Sequence, residues 1–483
     1  VLIINYAEVV CLCKAIFNNA RIAAFVSGAL ACKILQGMSK VLFLSNDVLG
    51  DRMAGPAIRA LELARVLAQR HTVVVAMSDV KKSDLTSYPV EIIKANRAQI
   101  RRLLNSMDVV IVQGYSLRDH PEVAKSDAAI VVDLYDPFPF ENLELYATAP
   151  LEVRRGLAEA DLAVLTQQLL RGDLFLAASE KQRDLWLGAL LASGRITPEF
   201  RDAIAAGNKV IELVPFGLPE QTPRSEENLL EKYIPDYRAD DFIIVWGGGL
   251  YNWFNPLPFI EATWRLWSEG KRARLFFMGV KHPNERIPAM EVVESAVQFA
   301  KSIGAYAKSA IFNFDWIPYE KRQDVLLHAS AGVSFHKMHL ESEYAFRTRI
   351  LDYFWCGLPT LCAAGDELSR IVEQNKCGVT FATEDPSIIA GEIERLMMSS
   401  DLQREMRENA LNVAKMFSWG NVARPLLDYC DSPRRLRTGK PLPRRTKLGP
   451  VTRNRMRMYR ARAVLKQGGI SALLREIRVR LFH

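Results

Sequence analysis

A chain of 483 residues is longer than one hydrophobic core ordinarily supports, so two domains are expected, and the 49% hydrophobic content is that of a globular protein. Its seven cysteines, at 11, 13, 32, 356, 362, 377 and 430, form no CxxC pair and no Cys/His zinc spacing, which argues against a disulfide framework and for reduced thiols in a cytosolic setting. The formal net charge of +8 is unevenly placed: residues 434–483 carry 16 Lys/Arg against one acid, Glu476, whereas the rest of the chain has 47 basic and 54 acidic residues.

Residues 1–37 precede a clear domain start at Met38-Ser39-Lys40-Val41 and are read as an extension that need not be native. Their longest uncharged stretch, Ile22 to Cys32, is too short to span a bilayer; its resemblance to a secretory core followed by Ala29-Leu30-Ala31 is the reading not preferred.

From Val41, short apolar runs alternate with helical periodicity, the pattern of parallel sheets covered by helices. Strands are expected at 41–45, 72–76, 109–113, 130–134, 174–178 and 209–214, within a first unit of residues 38–219. Between the first two lies a helix with Ile58, Leu61, Ala64 and Ala68 on one face. Residues 220–240, with Pro223 and Pro235, read as a linker. A second unit, 241–418, repeats the alternation with strands at 242–246, 274–278, 311–314, 332–336, 360–362 and 378–381. A return helix, 419–433, and the basic tail follow. Two doubly wound Rossmann-like domains place ligands at the carboxyl ends of their strands, hence on both sides of a cleft.

Three loops carry candidate chemistry. In Asn46 to Pro56, Gly55 permits close backbone approach, Pro56 primes a helix and Arg59 lies one turn in, a candidate acceptor or phosphate loop. Gly247-Gly248-Gly249 ends the first strand of the second unit, and three consecutive glycines are better explained by a bulky ligand than by packing. The third runs from His336 to Pro359. Glu341 and Glu343 can accept hydrogen bonds from sugar hydroxyls, Asp352 can reach a ribose, and Arg347, Thr348 and Arg349 stand where guanidinium and helix N–H groups suit a diphosphate. Each loop also has a plain reading: an ordinary βα turn, a flexible turn, and a helix with a solvated charged face.

The stretch Phe346 to Pro359, ending Leu351-Asp352-Tyr353-Phe354-Trp355-Cys356-Gly357-Leu358-Pro359, resembles the donor-site helix of glycosyltransferase family 4, retaining enzymes of the GT-B fold. Gly55 to Ala68, Val214 to Pro219 and Asp315 to Tyr319 support the resemblance, which covers roughly residues 39–420. It implies an α/β GT-B architecture and transfer of a hexosyl-type group from a nucleotide sugar to a saccharide or lipid-linked acceptor, with retention and without metal or other cofactor. Cell-surface polysaccharide or glycolipid synthesis is the expected setting. The chain departs from the family's paired acids: Asp352 takes the second place, Tyr344 the first, and Glu343 is displaced by one. Glu343 is the expected acid toward the transferred sugar and Asp352 the one toward the nucleoside. The family's basic pair after the glycine strand is missing at 249–255, so Arg347, Arg349 or Lys281 is expected to replace it. Asp136, in Asp133-Leu134-Tyr135-Asp136-Pro137, stands where relatives carry a histidine; it is a candidate catalytic contact, with helix capping as its other reading.

In the tail, Ile470, Leu473, Leu474, Ile477 and Leu481 form an apolar stripe beside Arg475, Arg478 and Arg480, which suits an anionic membrane surface better than nucleic acid. A cytoplasmic protein, peripheral on the inner face of the plasma membrane, is the expected location. Two other readings stay open: a nucleotide-sugar epimerase of the same fold, and a non-catalytic sugar- or nucleotide-binding protein.

Overall fold

The computed structural model describes residues 38–51, 53–81, 88–280, 290–436 and 458. The extension 1–37, Arg52, Lys281 and the apolar stripe of the tail lie outside the described residues.

Two sheets, each parallel throughout, carry the architecture. The first has seven strands: β1 (Lys40–Leu49), β2 (Thr72–Val80), β3 (Glu91–Lys94), β4 (Val109–Gln113), β5 (Ala129–Asp133), β6 (Leu174–Ala177) and β7 (Ile211–Leu213), in the order β3-β2-β1-β4-β5-β6-β7. The second has six: β8 (Phe242–Trp246), β9 (Ala273–Phe277), β10 (Ala310–Phe312), β11 (Ala331–Ser334), β12 (Thr360–Ala363) and β13 (Gly378–Phe381), ordered β10-β9-β8-β11-β12-β13. Central strands such as β4 (VVIVQ), β5 (AIVVD) and β8 (FIIVW) are buried at every position, as helices on both faces require. Every strand expected from the sequence is present, with ends shifted by a few residues. β3 was not expected: its EIIK offers two half-buried apolar residues on an edge, too weak a pattern to read. β1 also runs on to Leu49, with a register shift between Ser45 and Val48, through what reads in the sequence as loop.

Winding reverses between β1 and β4 and again between β8 and β11, and the carboxyl ends of strands at such points are where doubly wound sheets take ligands. Residues 220–240 are more than a plain linker: a short helix, Leu229–Tyr233, buries Leu229 and Leu230. Helices Trp419–Val422 and Arg424–Asp431 lie against the first sheet's side. There the Trp419 ring meets Phe216 at 5.0 Å between centroids, and a Cβ on Gly217 would lie 2.4 Å from that ring. The backbone closes the contact, with Leu218 N–H donating to Phe417 O (2.7 Å) and Trp419 N–H to Leu218 O (2.9 Å). Among the described residues no helix is long and apolar enough to cross a membrane.

Candidate active site

At the second switch point, β8 ends in Gly247-Gly248-Gly249, and the helix Thr348–Cys356 packs beneath it. Tyr353 of that helix pins the loop: Gly247 N–H donates to its hydroxyl (2.8 Å), which itself donates to Val333 O (2.8 Å). Gly248 has φ +71° with open space where a Cβ would stand, so its bare backbone faces a void rather than a packed neighbour. No side chain caps the start of helix Thr348–Cys356, whose other end stops at Gly357 in the left-handed conformation, φ +66°.

The two arginines at this helix start have different fates. Arg347 is buried and held by both oxygens of buried Glu341, Nη1 to Oε1 at 2.6 Å and Nη2 to Oε2 at 2.5 Å. Arg349 donates through Nη2 to Gly249 O (2.7 Å) and lies over the Phe254 ring (4.1 Å), while its buried Nη1 has no partner. No carboxylate among the described residues forms an ion pair with it. Burial lowers its pKa to about 10, so it is a cation at neutral pH.

Beyond Arg347 the strand ends of β11 and β12 add buried polar groups. His336 is 3% exposed, and neither ring nitrogen has a partner; burial, and then the Arg347 charge, push its pKa down to about 2, so the ring is neutral. Asp366 caps the helix Glu367–Gln374 through Oδ1, which accepts from Ser369 N–H (2.6 Å). Its other oxygen is unpartnered, 3.8 Å from Arg347 Nε, and burial pushes the carboxyl up to about 6.

The first sheet faces this cluster with acids. Asp136, after β5, and Glu141, in helix Phe138–Leu145, hydrogen-bond each other. Burial raises both, Asp136 to about 6, and nearby Glu341 adds to the rise. A pair of this kind holds a proton near neutrality and can pass it on. The halves are joined beside it. Gln182 Nε2 donates to Tyr135 O (2.9 Å) and to Tyr344 O (2.8 Å), Phe140 stacks on Tyr344 at 5.4 Å, and Lys181 pairs with Glu343 at 2.8 Å.

The structure therefore separates residues that sequence reasoning grouped. Gly247, Gly248, Gly249, Thr348 and Arg349 come together. Arg347, expected at the diphosphate, is turned to Glu341. Glu343, expected toward the sugar, stands half-exposed on the rim with Lys181. Asp352 is paired with Arg322 at 3.0 Å, a guanidinium laid over Tyr319 and Trp355. Gly55 lies with its Cβ direction 3.7 Å from the Tyr135 hydroxyl. Arg59 is 0% exposed and bound to Asp133, Val214 O and Pro215 O, so its guanidinium is structural and does not serve the loop. Asp136 does not cap its helix, whose N-cap is Pro137 without a side-chain bond. Glu141, Gln182, His336 and Asp366 were not singled out from sequence; only the Asp366-x-x-Ser369 capping spacing left a readable trace.

No family model and no curated protein matches the sequence. Solved structures do match in fold. HepE of Anabaena, in complex with UDP, is 13% identical, with 81% of this chain and 100% of that chain covered at a TM-score of 0.56. WaaG, a glycosyltransferase involved in lipopolysaccharide biosynthesis, is 15% identical over 81% of this chain and 99% of its own, at 0.57. Sucrose-phosphate synthase of Thermosynechococcus elongatus is 13% identical over 80% and 97%, at 0.54. At such identities the likeness establishes the GT-B fold, two parallel sheets with flanking helices, as the fold of this chain.

Proposed function

We propose that this protein is a glycosyltransferase that binds a nucleotide sugar at the carboxyl end of the second sheet and moves the sugar to an acceptor held by the first. The observation that carries this reading is Arg349: a half-buried guanidinium with no acidic partner among the described residues and a buried, unpartnered Nη1, seated on a glycine loop at an uncapped helix start at a winding switch point. Cation, free amides and bare backbone are what a diphosphate needs. HepE, with the same fold, was solved with UDP and with UDP-glucose, which supports a nucleotide-sugar donor here.

In the proposed reaction the bond from the sugar's anomeric carbon to the diphosphate breaks and a bond to the acceptor hydroxyl oxygen forms. Charge developing on the leaving diphosphate is met by Arg349 and the amides of 248–249 and 348–349. The acceptor's proton passes to the departing phosphate on the same face, which gives retention and uses no metal. Asp136 and Glu141 line the acceptor side and orient its hydroxyl. We place Asp352 with Arg322 at the nucleoside end. A family 4 relationship, hexosyl transfer, a saccharide or lipid-linked acceptor and a role in surface polysaccharide or glycolipid assembly complete the reading. The basic tail would hold the enzyme on the cytoplasmic face of the membrane.

Calorimetric titration with UDP, GDP, ADP and dTDP tests the donor site. One of them should bind, and Arg349→Ala should weaken it at least tenfold while Arg347→Ala acts mainly on stability. Equal affinity in Arg349→Ala would remove Arg349 from the diphosphate.

A further inference from the structure

Four buried polar atoms without hydrogen-bond partners collect at the ends of β11 and β12: Ser334 Oγ, the two ring nitrogens of His336 and Oδ2 of Asp366; beside them is a fifth, Arg347 Nε. Ser334 and His336 are two residues apart on extended chain, so their side chains share a face. Native interiors satisfy nearly all such atoms, because one left bare loses its hydration with nothing in return. The other polar atoms of these same side chains are engaged: Arg347 by Glu341, and Asp366 Oδ1 by Ser369. Arg347 and Asp366 are thus held in place by their own partnered atoms, and Ser334 and His336 by burial alone.

We propose that this cluster is the subsite that reads the hydroxyls of the transferred sugar, with Asp366 and His336 as specificity-determining residues; this rests on the glycosyltransferase reading above. Arg347 Nε and Asp366 Oδ2 are 3.8 Å apart, too far to bond each other. A hydroxyl oxygen set beside them can lie about 2.9 Å from both, accepting from Nε–H and donating to Oδ2. His336, neutral, offers one donor and one acceptor to a neighbouring hydroxyl. A vicinal pair of free hydroxyls on a pyranose ring has this alternation of donor and acceptor. A donor lacking a hydroxyl there leaves the buried groups bare and is rejected. The binding of nucleoside diphosphate alone does not involve this cluster.

Two variants separate this role from packing. Asp366→Asn keeps an oxygen for the Ser369 cap and turns the other acceptor into a donor. His336→Leu removes both nitrogens at similar volume, and because those nitrogens are unpartnered it should leave the melting temperature unchanged or raised. Each is titrated with UDP, GDP, ADP and dTDP and with the hexose conjugate of whichever one binds. The expected result is nucleoside diphosphate affinity within twofold of the parent, and affinity for the sugar conjugate reduced tenfold or more in both variants. Unchanged affinity for the conjugate overturns the proposal and leaves a buried water as the occupant. Failure of the parent to bind any nucleoside diphosphate instead overturns the function proposed above, and this inference with it.

Discussion

Replacing Arg59 by Ala should unfold the first half of the molecule long before it affects ligand binding. The Arg59 and Asp133 side chains are both 0% exposed and meet through two bonds, Nε to Oδ2 at 2.8 Å and Nη2 to Oδ1 at 2.9 Å. The same guanidinium satisfies Val214 O (2.7 Å) and Pro215 O (2.9 Å), where the chain leaves the first sheet, and stacks on Tyr135 at 4.5 Å. Truncation leaves Asp133 with the Gln113 amide at 3.3 Å as its remaining side-chain bond. Stranding one member of a buried ion pair costs about 3–5 kcal/mol. For a unit of this size, about 2–4 °C per kcal/mol translates that into a fall of roughly 6–20 °C in melting temperature. Thermal unfolding followed by circular dichroism reads the fall. Nucleotide titration well below the transition should give the parent's affinity, and replacing Arg59 and Asp133 together by Met and Leu should recover much of the loss. A melting temperature within 2 °C of the parent, or a large loss of affinity at unchanged stability, would refute the argument.

Three other perturbations follow from the same contacts. Gly357→Ala places a Cβ at φ +66° and 2.9 Å from Arg407 Cγ, and should cost about 1–2 kcal/mol in unfolding experiments, with the protein otherwise intact. Gln182→Leu strips the carbonyls of Tyr135 and Tyr344 of their shared donor and loosens the join between the halves; small-angle scattering should show a larger radius of gyration than the parent's. Asp366 has a folded pKa of about 6 against an ordinary value of 3.8, so the folded state binds more protons between pH 4 and 6 and is stabilised as pH falls through that window. The difference corresponds to about 3 kcal/mol at most, and urea titrations at pH 7 and pH 5 should show a smaller gain on acidification in Asp366→Asn than in the parent.

The sheets were legible because β4, β5 and β8 are unbroken runs of buried, mostly β-branched residues, and Gly357 was legible as a helix stop because only a left-handed residue ends the helix there. β3 escaped since an edge strand of four residues has no period to read. The site was legible as a stretch of chain but not as an arrangement. Arg347 and Arg349 are equivalent in sequence. Their difference lies in Glu341, six residues back and brought round by the short helix Leu340–Tyr344, and in the Gly249 carbonyl, 100 residues away. The Asp136–Glu141 pair likewise depends on Pro137 starting a helix that turns residue 141 back toward 136. Arg59 misled because a cation just after a glycine-containing loop looks free until Asp133, on another strand, is brought beneath it.

The most direct test of the account is incubation of the purified protein with a panel of nucleotide sugars, with and without saccharide and lipid-linked acceptors, scored by mass spectrometry. The account predicts release of nucleoside diphosphate from one donor, accelerated by an acceptor that gains the sugar, and loss of that release in Arg349→Ala. Donor binding with no release under any acceptor would contradict it in favour of a non-catalytic binding protein, and conversion of the donor to an isomeric sugar without an acceptor would identify an epimerase instead.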